Sequence, residues 1–122
     1  MKYQKILSDV FFKSEEKPWE EAGEGIKRQF VGYDTQIMMV KVMFEEGAIG
    51  YIHDHFHAQT TYVVSGEFKV NINGQERVLK AGDGFYIPPN VSHGAECLEK
   101  GMLIDVFSPM REDFLEVNHS KK

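Results

Sequence analysis

The stretch GYIHDHFHAQTTYVVSGE at residues 50–67, followed by AGDGFYIPPNVSHG at residues 81–94, decides the fold and suggests a metal site. His53 and His55 stand two residues apart. On a strand, both imidazoles therefore project from the same face, about 6.6 Å apart along the chain. A transition metal whose ligand bonds are each about 2 Å long can accept both nitrogens. The pair is thus the first half of a predicted metal centre.

Gln59 is a further candidate ligand, four residues after His55. A straight strand would separate these two side chains by about 13 Å, too far for both to reach one ion. If both bind, the chain must bend at residues 56–58, so that the histidines lie on one strand and Gln59 begins the next. His57 then lies at the bend, either as a rim contact to a substrate or as a polar turn residue.

His93 completes the predicted ligand set from the second stretch. Pro88 and Pro89 end a strand and fix a turn, because proline locks φ and lacks an N–H donor. Asn90 tolerates unusual turn dihedrals, so a histidine held behind this turn is well placed to point inward. Four ligands on an octahedral ion leave two positions open. We therefore expect one divalent transition metal ion, with nickel, zinc, iron and manganese as the candidates.

The predicted ligands carry no charge, since they are three imidazoles and the amide of Gln59. The +2 charge of an ion would then be uncompensated, which makes it a stronger Lewis acid and attracts an anionic substrate. The pattern favours a site that binds and polarises a carboxylate over a purely structural ion.

Composition restricts the remaining classes. A chain of 122 residues with 42% hydrophobic and 27% charged residues is typical of one soluble globular domain. A net charge of −5 without a basic stripe argues against nucleic acid as a partner. No signal peptide and no apolar run of about 18 residues is evident, which predicts a cytoplasmic protein without a membrane span. Cys97 is the only cysteine, and we expect a small buried hydrophobe there.

Short strand-like runs recur after an irregular, charged N-terminal stretch. They are rich in β-branched and aromatic residues and bounded by turn formers, which predicts a barrel or a sandwich. The runs are GIKRQFVG, IMMVKVMF, TYVVSGEFKVNI, ERVL, GFYI and MLIDVF. Asn73-Gly74 predicts a two-residue hairpin turn. SPMREDFLE, residues 108–116, predicts a short closing helix with Ser108 as cap and Pro109 in the first position.

Asp105 is unexpected in its strand. By the period of two it shares a face with Leu103 and Phe107, and the opposite face is apolar as well. A carboxylate among apolar neighbours needs a partner or a raised pKa, so it is either functional or at an exposed edge. Arg111 either returns to the barrel mouth to clamp an anion or is a solvated residue of the first helical turn.

Residues 47–66 and 82–93 resemble the two cupin motifs: a glycine, HxH, a fourth ligand and a closing glycine, then G-x5-P-x-G/N-x2-H. This resemblance implies an all-β, single-domain jelly-roll barrel of antiparallel strands with a metal inside, usually as a homodimer. One departure is Gln59, where the family commonly has glutamate. TYVVSGEFKV is partly apolar on both faces, which allows a subunit interface.

Residues 18–115 resemble the pectin-degradation cupins of the KdgF type more closely, through PWEEAGEGIKRQ, IMMVKVMFEEGAIG and above all the ending SPMREDFL. This resemblance implies a metal-dependent enzyme that converts 4,5-unsaturated uronates, small anionic sugars, to the linear 5-keto form. It implies that the metal is held by His53, His55, Gln59 and His93. Asp105 and Arg111 would be catalytic, and Phe107, Arg111 and Gln59 would contact the substrate.

The expected organisation is an N-terminal extension at residues 1–17, which could add a strand, a cupin domain at 18–115 and a polar tail at 116–122. His119 in the tail is expected to be solvated. Two other functions stay open: a metal-dependent dioxygenase, and a non-catalytic cupin that binds or senses a sugar. Oxygen consumption would distinguish the first, and tight binding without conversion the second.

Overall fold

A computed structural model describes residues 6–115. These residues form eight antiparallel strands, with a 3-10 turn at Ser14–Glu16 and a helical turn at residues 112–115. The strands are β1 Glu20–Gly23, β2 Ile26–Asp34, β3 Ile37–Phe44, β4 Ile49–His53, β5 Ala58–Ile72, β6 Gln75–Lys80, β7 Gly84–Ile87 and β8 His93–Ser108. The expected all-β jelly-roll class is confirmed. No helix in the described part of the chain is long and apolar enough to cross a membrane.

The two long strands, β5 and β8, organise the sheet. Its strand order is β1-β2-β3-β8-β5-β6, and in addition β4 pairs with β8 and β7 pairs with β5. The two strands pair with each other from Ala58↔Ser108 to Ile72↔His93. Each also changes its second partner midway: β5 passes from β7 to β6, and β8 passes from β4 to β3. Because β5 and β8 bend together where their partners change, the sheet closes on itself and its inward face becomes the lining of a barrel.

Two glycines permit this change of direction. The register between β5 and β8 shifts at residues 63–68, around Gly66, whose φ is +84°. A Cβ on Gly101 would overlap the Ser65 carbonyl oxygen and the Gly66 Cα. The two backbones therefore approach so closely that a side chain does not fit between them.

Two apolar clusters fill the barrel on either side of its cavity. The larger contains Phe44, which meets Phe68 edge to face at 5.2 Å, together with Cys97, which is 1% exposed as expected of a small buried hydrophobe. The smaller joins Met38 and Val40 to the C-terminal residues. The alternation along β8 is as predicted, since Leu103 and Phe107 are buried on the inward face.

The N-terminal segment is attached to β2 by a buried glutamine. The Gln29 side chain is fully buried, and its amide donates hydrogen bonds to the carbonyls of Ser14 and Lys17, both at 3.0 Å. Of the extension predicted for residues 1–17, the first five lie outside the described residues. Residues 6–17 contain one 3-10 turn and no strand.

The strand predictions hold for all six runs, and both residues of the Asn73-Gly74 turn have positive φ. The six apolar runs did not include β1, β4 or the first half of β8, and of these only β4 was expected, from the pair His53 and His55. The C-terminal helix prediction was wrong in its start. Ser108 ends β8 and donates a hydrogen bond to the Gln36 carbonyl at 2.9 Å, so the helical turn begins only at Glu112. The predicted tail at 116–122, with His119, lies outside the described residues.

The crossing of β5 and β8 yields a stability prediction. Gly101→Ala should lower the free energy of unfolding by about 1–3 kcal/mol, because the new methyl group meets backbone that cannot move aside easily. Gly32→Ala is the matched control, since a Cβ there has only an ordinary contact of 3.6 Å with the Ser8 hydroxyl. Urea unfolding of both variants measures the difference. Equal stabilities would contradict the account of this crossing.

Candidate metal centre and cavity

Three histidines converge at one end of the barrel. His53 ends β4 and His93 begins β8, and the two residues are direct partners across those strands. His55 lies two residues beyond β4, before a bend at residues 56–57 that leads into β5. One ring nitrogen from each histidine lies within 4.8 Å of the other two. The bend that sequence spacing required is present. However, β4 ends at His53, so His55 lies beyond the strand on which it was expected.

The backbone fixes which nitrogen each imidazole offers. Nδ1 of His53 lies 2.9 Å from the Tyr51 carbonyl, and Nδ1 of His93 lies 2.9 Å from the Val91 carbonyl. Nδ1 of His55 lies 3.0 Å from the His57 carbonyl. A carbonyl oxygen only accepts, so Nδ1 carries the proton in each ring and the lone pair is on Nε2. Metal-binding histidines in proteins are commonly oriented in this way.

Gln59 presents its amide oxygen to this cluster. Its Nε2 donates to Thr61 Oγ1 at 3.0 Å and faces Asp105 Oδ1 at 3.4 Å, which leaves Oε1 at 3.1 Å from His55 Nε2. Two ligand atoms bound at right angles to one ion, each at about 2.1 Å, are about 3 Å apart. The contact between these two acceptor atoms therefore has the spacing of neighbouring metal ligands, and the donor set fits a divalent transition metal.

Burial favours the uncharged forms of His93 and His55. It is the largest of the causes that together lower the pKa of His93 to about 4, and the nearby His53 and His55 act in the same direction. Burial also lowers the pKa of His55, as does the positive charge of Arg111. A metal ligand must be unprotonated, so these shifts favour the form that binds an ion.

Asp105 lies directly behind Gln59 on the inward face. Its Oδ1 accepts a hydrogen bond of 2.7 Å from the hydroxyl of Thr61, its cross-strand partner. Within residues 6–115, Oδ2 accepts no hydrogen bond from a side chain. Burial raises the pKa of Asp105 to about 6, against the opposing effect of the Thr61 hydrogen bond. The exposed-edge alternative for Asp105 is thereby excluded, and the group faces the cavity.

A cavity of about 660 Å³ opens beside the cluster. Most of the residues singled out in the sequence line it: His53, Gln59, His93, Asp105, Phe107 and Arg111. The Arg111 guanidinium lies 5.2 Å from the centre of the Phe107 ring and forms a two-bond ion pair with Asp113, at 2.8 and 3.0 Å. Its side chain is 12% exposed, so Arg111 returns to the barrel mouth and is not solvated.

His57 does not join the cluster. It is 5% exposed, is stacked on Phe56 at 4.0 Å and does not line the cavity. Neither ring nitrogen has a hydrogen-bond partner in the described part of the chain, and burial lowers its pKa. A buried side chain outside the cavity lining does not fit the alternative of a rim contact to substrate.

Sequence reasoning did not single out Arg28 on β2, which is among the charged residues that line the cavity together with Glu24, Glu45 and Glu46. A signal for Arg28 was available, because it alternates with Ile26 and Phe30, so it is a charged residue on an apolar face, as Asp105 is.

The comparisons with known proteins agree with this architecture. The Cupin domain family model matches residues 40–107. The pectin degradation protein KdgF of Dickeya dadantii (strain 3937) is 49% identical over 107 residues, which span 86% of this chain and 97% of that protein. A RmlC-like cupin from Shewanella frigidimarina NCIMB 400 is 51% identical, with a TM-score of 0.87 over 88% of this chain and 97% of that one.

A further solved structure, KdgF from Halomonas sp., is 40% identical, with a TM-score of 0.84 over 88% of this chain and 99% of that one. The relatives are matched over nearly their whole length. The residues matched by the cupin model include all four candidate donors, His53, His55, Gln59 and His93. The chain therefore belongs to the cupin family and, within it, to the KdgF group of pectin degradation proteins.

Proposed function

We propose that this protein acts in pectin degradation as a metal-dependent enzyme that converts 4,5-unsaturated uronate monosaccharides to linear 5-keto-4-deoxyuronate. The observation that carries the proposal is that a four-donor cluster adjoins a cavity that is also lined by a partly buried carboxyl group and an arginine. Kinship with KdgF of Dickeya dadantii, a pectin degradation protein by name, supports this substrate class.

The reaction is an isomerisation, so all atoms remain in the product. The C1 hydroxyl gives up its proton as the bond between C1 and the ring oxygen breaks, which produces an aldehyde at C1 and an enolate at C5. One proton added at C4 turns the enolate into the C5 ketone, so the net change is the move of one proton from the C1 oxygen to C4. A divalent ion held by His53, His55, Gln59 and His93 would supply Lewis acidity toward substrate oxygens.

Asp105 is the proposed proton-transfer group. The Thr61 hydroxyl and the Gln59 amide hold its Oδ1, while Oδ2 has no side-chain hydrogen bond within residues 6–115. A carboxyl group fixed through one oxygen presents the other in a constant position, which general acid–base catalysis requires. It would take the proton from the C1 hydroxyl or deliver one to C4.

Arg111 and Phe107 are the proposed substrate contacts. The Asp113 carboxylate engages one edge of the Arg111 guanidinium, and within residues 6–115 Nη1 makes no hydrogen bond and is free for the carboxylate of the sugar. Phe107 is 2% exposed and contacts both His55 and Arg111, so its ring provides an apolar wall between the cluster and the arginine.

We further propose that the protein is a homodimer that uses the outer face of the sheet. Five side chains there are large, apolar and at least 38% exposed: Ile37, Met39, Tyr62, Val64 and Tyr86. They belong to strands joined in register through β8, which makes the patch continuous. A cytoplasmic location and the absence of nucleic-acid partners remain predictions.

The proposed reaction is tested by mixing the metal-loaded protein with lyase-generated unsaturated galacturonate. The ultraviolet absorbance of the conjugated double bond should fall faster than without protein. A chelator should abolish the acceleration, and added divalent metal should restore it. No acceleration by metal-loaded protein would exclude the uronate reaction.

Metal content tests the ligand set. His93→Ala should reduce bound divalent metal from about one ion per chain to near none after dialysis, since a ligand is lost. His57→Ala is the matched control, because His57 adjoins the cluster without belonging to it, and it should retain the ion. Elemental analysis measures both. Retention by His93→Ala, or equal loss in the two variants, would refute the assignment.

Turnover tests the role of Asp105. Asp105→Asn should slow linearisation by about 10²–10⁴-fold, as expected for removal of a proton-transfer group, with metal content unchanged. Asp34→Asn, at the exposed end of β2, should behave as the wild type. Steady-state rates of both variants give the comparison, and wild-type turnover by Asp105→Asn would remove this residue from the mechanism.

Assembly is tested by charging the outer face. Tyr62→Lys should shift the protein from dimer to monomer in sedimentation equilibrium, because a buried lysine in an apolar interface is costly. Val78→Lys on β6 changes an equally exposed apolar residue outside the patch and should leave the dimer intact. A monomeric wild type would contradict the proposal.

A further inference from the structure

Arg28 is a largely buried cation that the reaction described above does not use. It lies on the inward face of β2, its side chain is 12% exposed, and it lines the same cavity as the histidine cluster and Asp105. Burial of a guanidinium group without full compensation is unfavourable. Glu20 supplies part of this compensation, and an anion bound in the cavity would supply more.

The contacts of Arg28 fix its direction without using its outer donors. Its Nε donates to Glu20 Oε2 at 3.2 Å, and its guanidinium carbon lies 4.0 Å from the centre of the Phe114 ring. In the described part of the chain, neither terminal nitrogen makes a hydrogen bond. The guanidinium is thus held along one edge and against one face, while its outer pair of N–H groups stays available for a planar anion.

Arg111 lies against the same ring, with its guanidinium carbon 4.2 Å from the centre of Phe114. The two guanidinium carbons are therefore no farther apart than the sum of these two distances. Their charges are compensated to different degrees. Asp113 engages Arg111 through two hydrogen bonds, at 2.8 and 3.0 Å, whereas Glu20 engages Arg28 through one longer bond. Arg28 keeps the greater share of uncompensated positive charge.

We propose that Arg28 binds the substrate carboxylate beside Arg111 and is the main residue by which the cavity selects uronates over neutral sugars. The inference rests on the proposed function, because it names a recognition residue for that substrate. It assigns Arg28 to binding and not to proton transfer. Loss of Arg28 therefore raises KM more than it lowers kcat, and does so more strongly than loss of Arg111.

Kinetics of four variants test the proposal: Arg28→Gln, Arg28→Lys, Arg111→Gln and the control Arg77→Gln. Arg77 is an exposed arginine on β6, outside the cavity. Arg28→Gln should raise KM for unsaturated galacturonate by about 10- to 100-fold, the effect expected for a charge-assisted hydrogen-bonded pair. Arg28→Lys should give an intermediate rise because it keeps the charge and loses the paired donors. Arg77→Gln should match the wild type.

Binding supplies a measurement that does not require the reaction. Calorimetry on the metal-loaded wild type should show a preference for D-galacturonate over D-galactose, two sugars that differ in the carboxylate. Arg28→Gln should lose most of this preference, and its metal content should be unchanged. If the wild type shows the preference without turning over the unsaturated sugar, the reaction proposal fails while the assignment of Arg28 stands.

The assignment is overturned if Arg28→Gln retains wild-type KM and the wild-type preference for galacturonate. A larger KM effect from Arg111→Gln than from Arg28→Gln overturns the ranking of the two arginines. Thermal melting shows whether Arg28→Gln is misfolded. If it is, the folded Arg28→Lys variant decides: a wild-type KM together with a wild-type preference for galacturonate in that variant refutes the proposal.

Discussion

The pairing of β5 with β8 along nearly their whole lengths is the constraint on which the site depends. This register makes Gln59 the direct partner of Phe107 and Thr61 the direct partner of Asp105. A slip of one residue in either strand would turn that strand's two side chains to the opposite face and separate the pairs. The close approach of Gly66 and Gly101 bends both strands together, so the face that carries these residues becomes the inside of a barrel.

The polar groups inside the barrel are arranged as a chain of matched donors and acceptors. Asp105 accepts from Thr61 and Gln59, which turns the Gln59 amide oxygen toward His55. Backbone carbonyls at the ends of the strands and in the bend orient the three imidazoles. The carboxyl group therefore acts on the candidate metal centre through the amide, since it fixes the orientation of Gln59 and lies behind it. A glutamate at position 59 would place two carboxylates side by side, which is unfavourable for both in a buried setting.

The cavity is lined by candidate metal donors and by two arginines. His53, Gln59 and His93 belong to the former, and Arg28 and Arg111 meet at Phe114. Each arginine is held by an acidic residue outside the cluster, so the guanidinium groups are oriented before a ligand arrives. Such preorganisation reduces the entropy lost on binding. An anion in this cavity is attracted by the two guanidinium groups and, if a metal ion is held, by that ion as well.

The sequence by itself determined the strand-rich class, the hairpin at Asn73-Gly74 and the grouping of His53, His55, Gln59 and His93. These features follow from local rules: the period of two, turn propensities and ligand spacing. It also identified Asp105 as a charged residue among apolar neighbours. Only the tertiary structure decided what lies across from these residues. The Thr61 partner of Asp105, the burial of His57 and the meeting of Arg28 with Arg111 at Phe114 all join segments far apart in the chain. The start of the C-terminal helix was missed for the same reason, because pairing with β5 extends β8 through Ser108 and overrides the local capping signal.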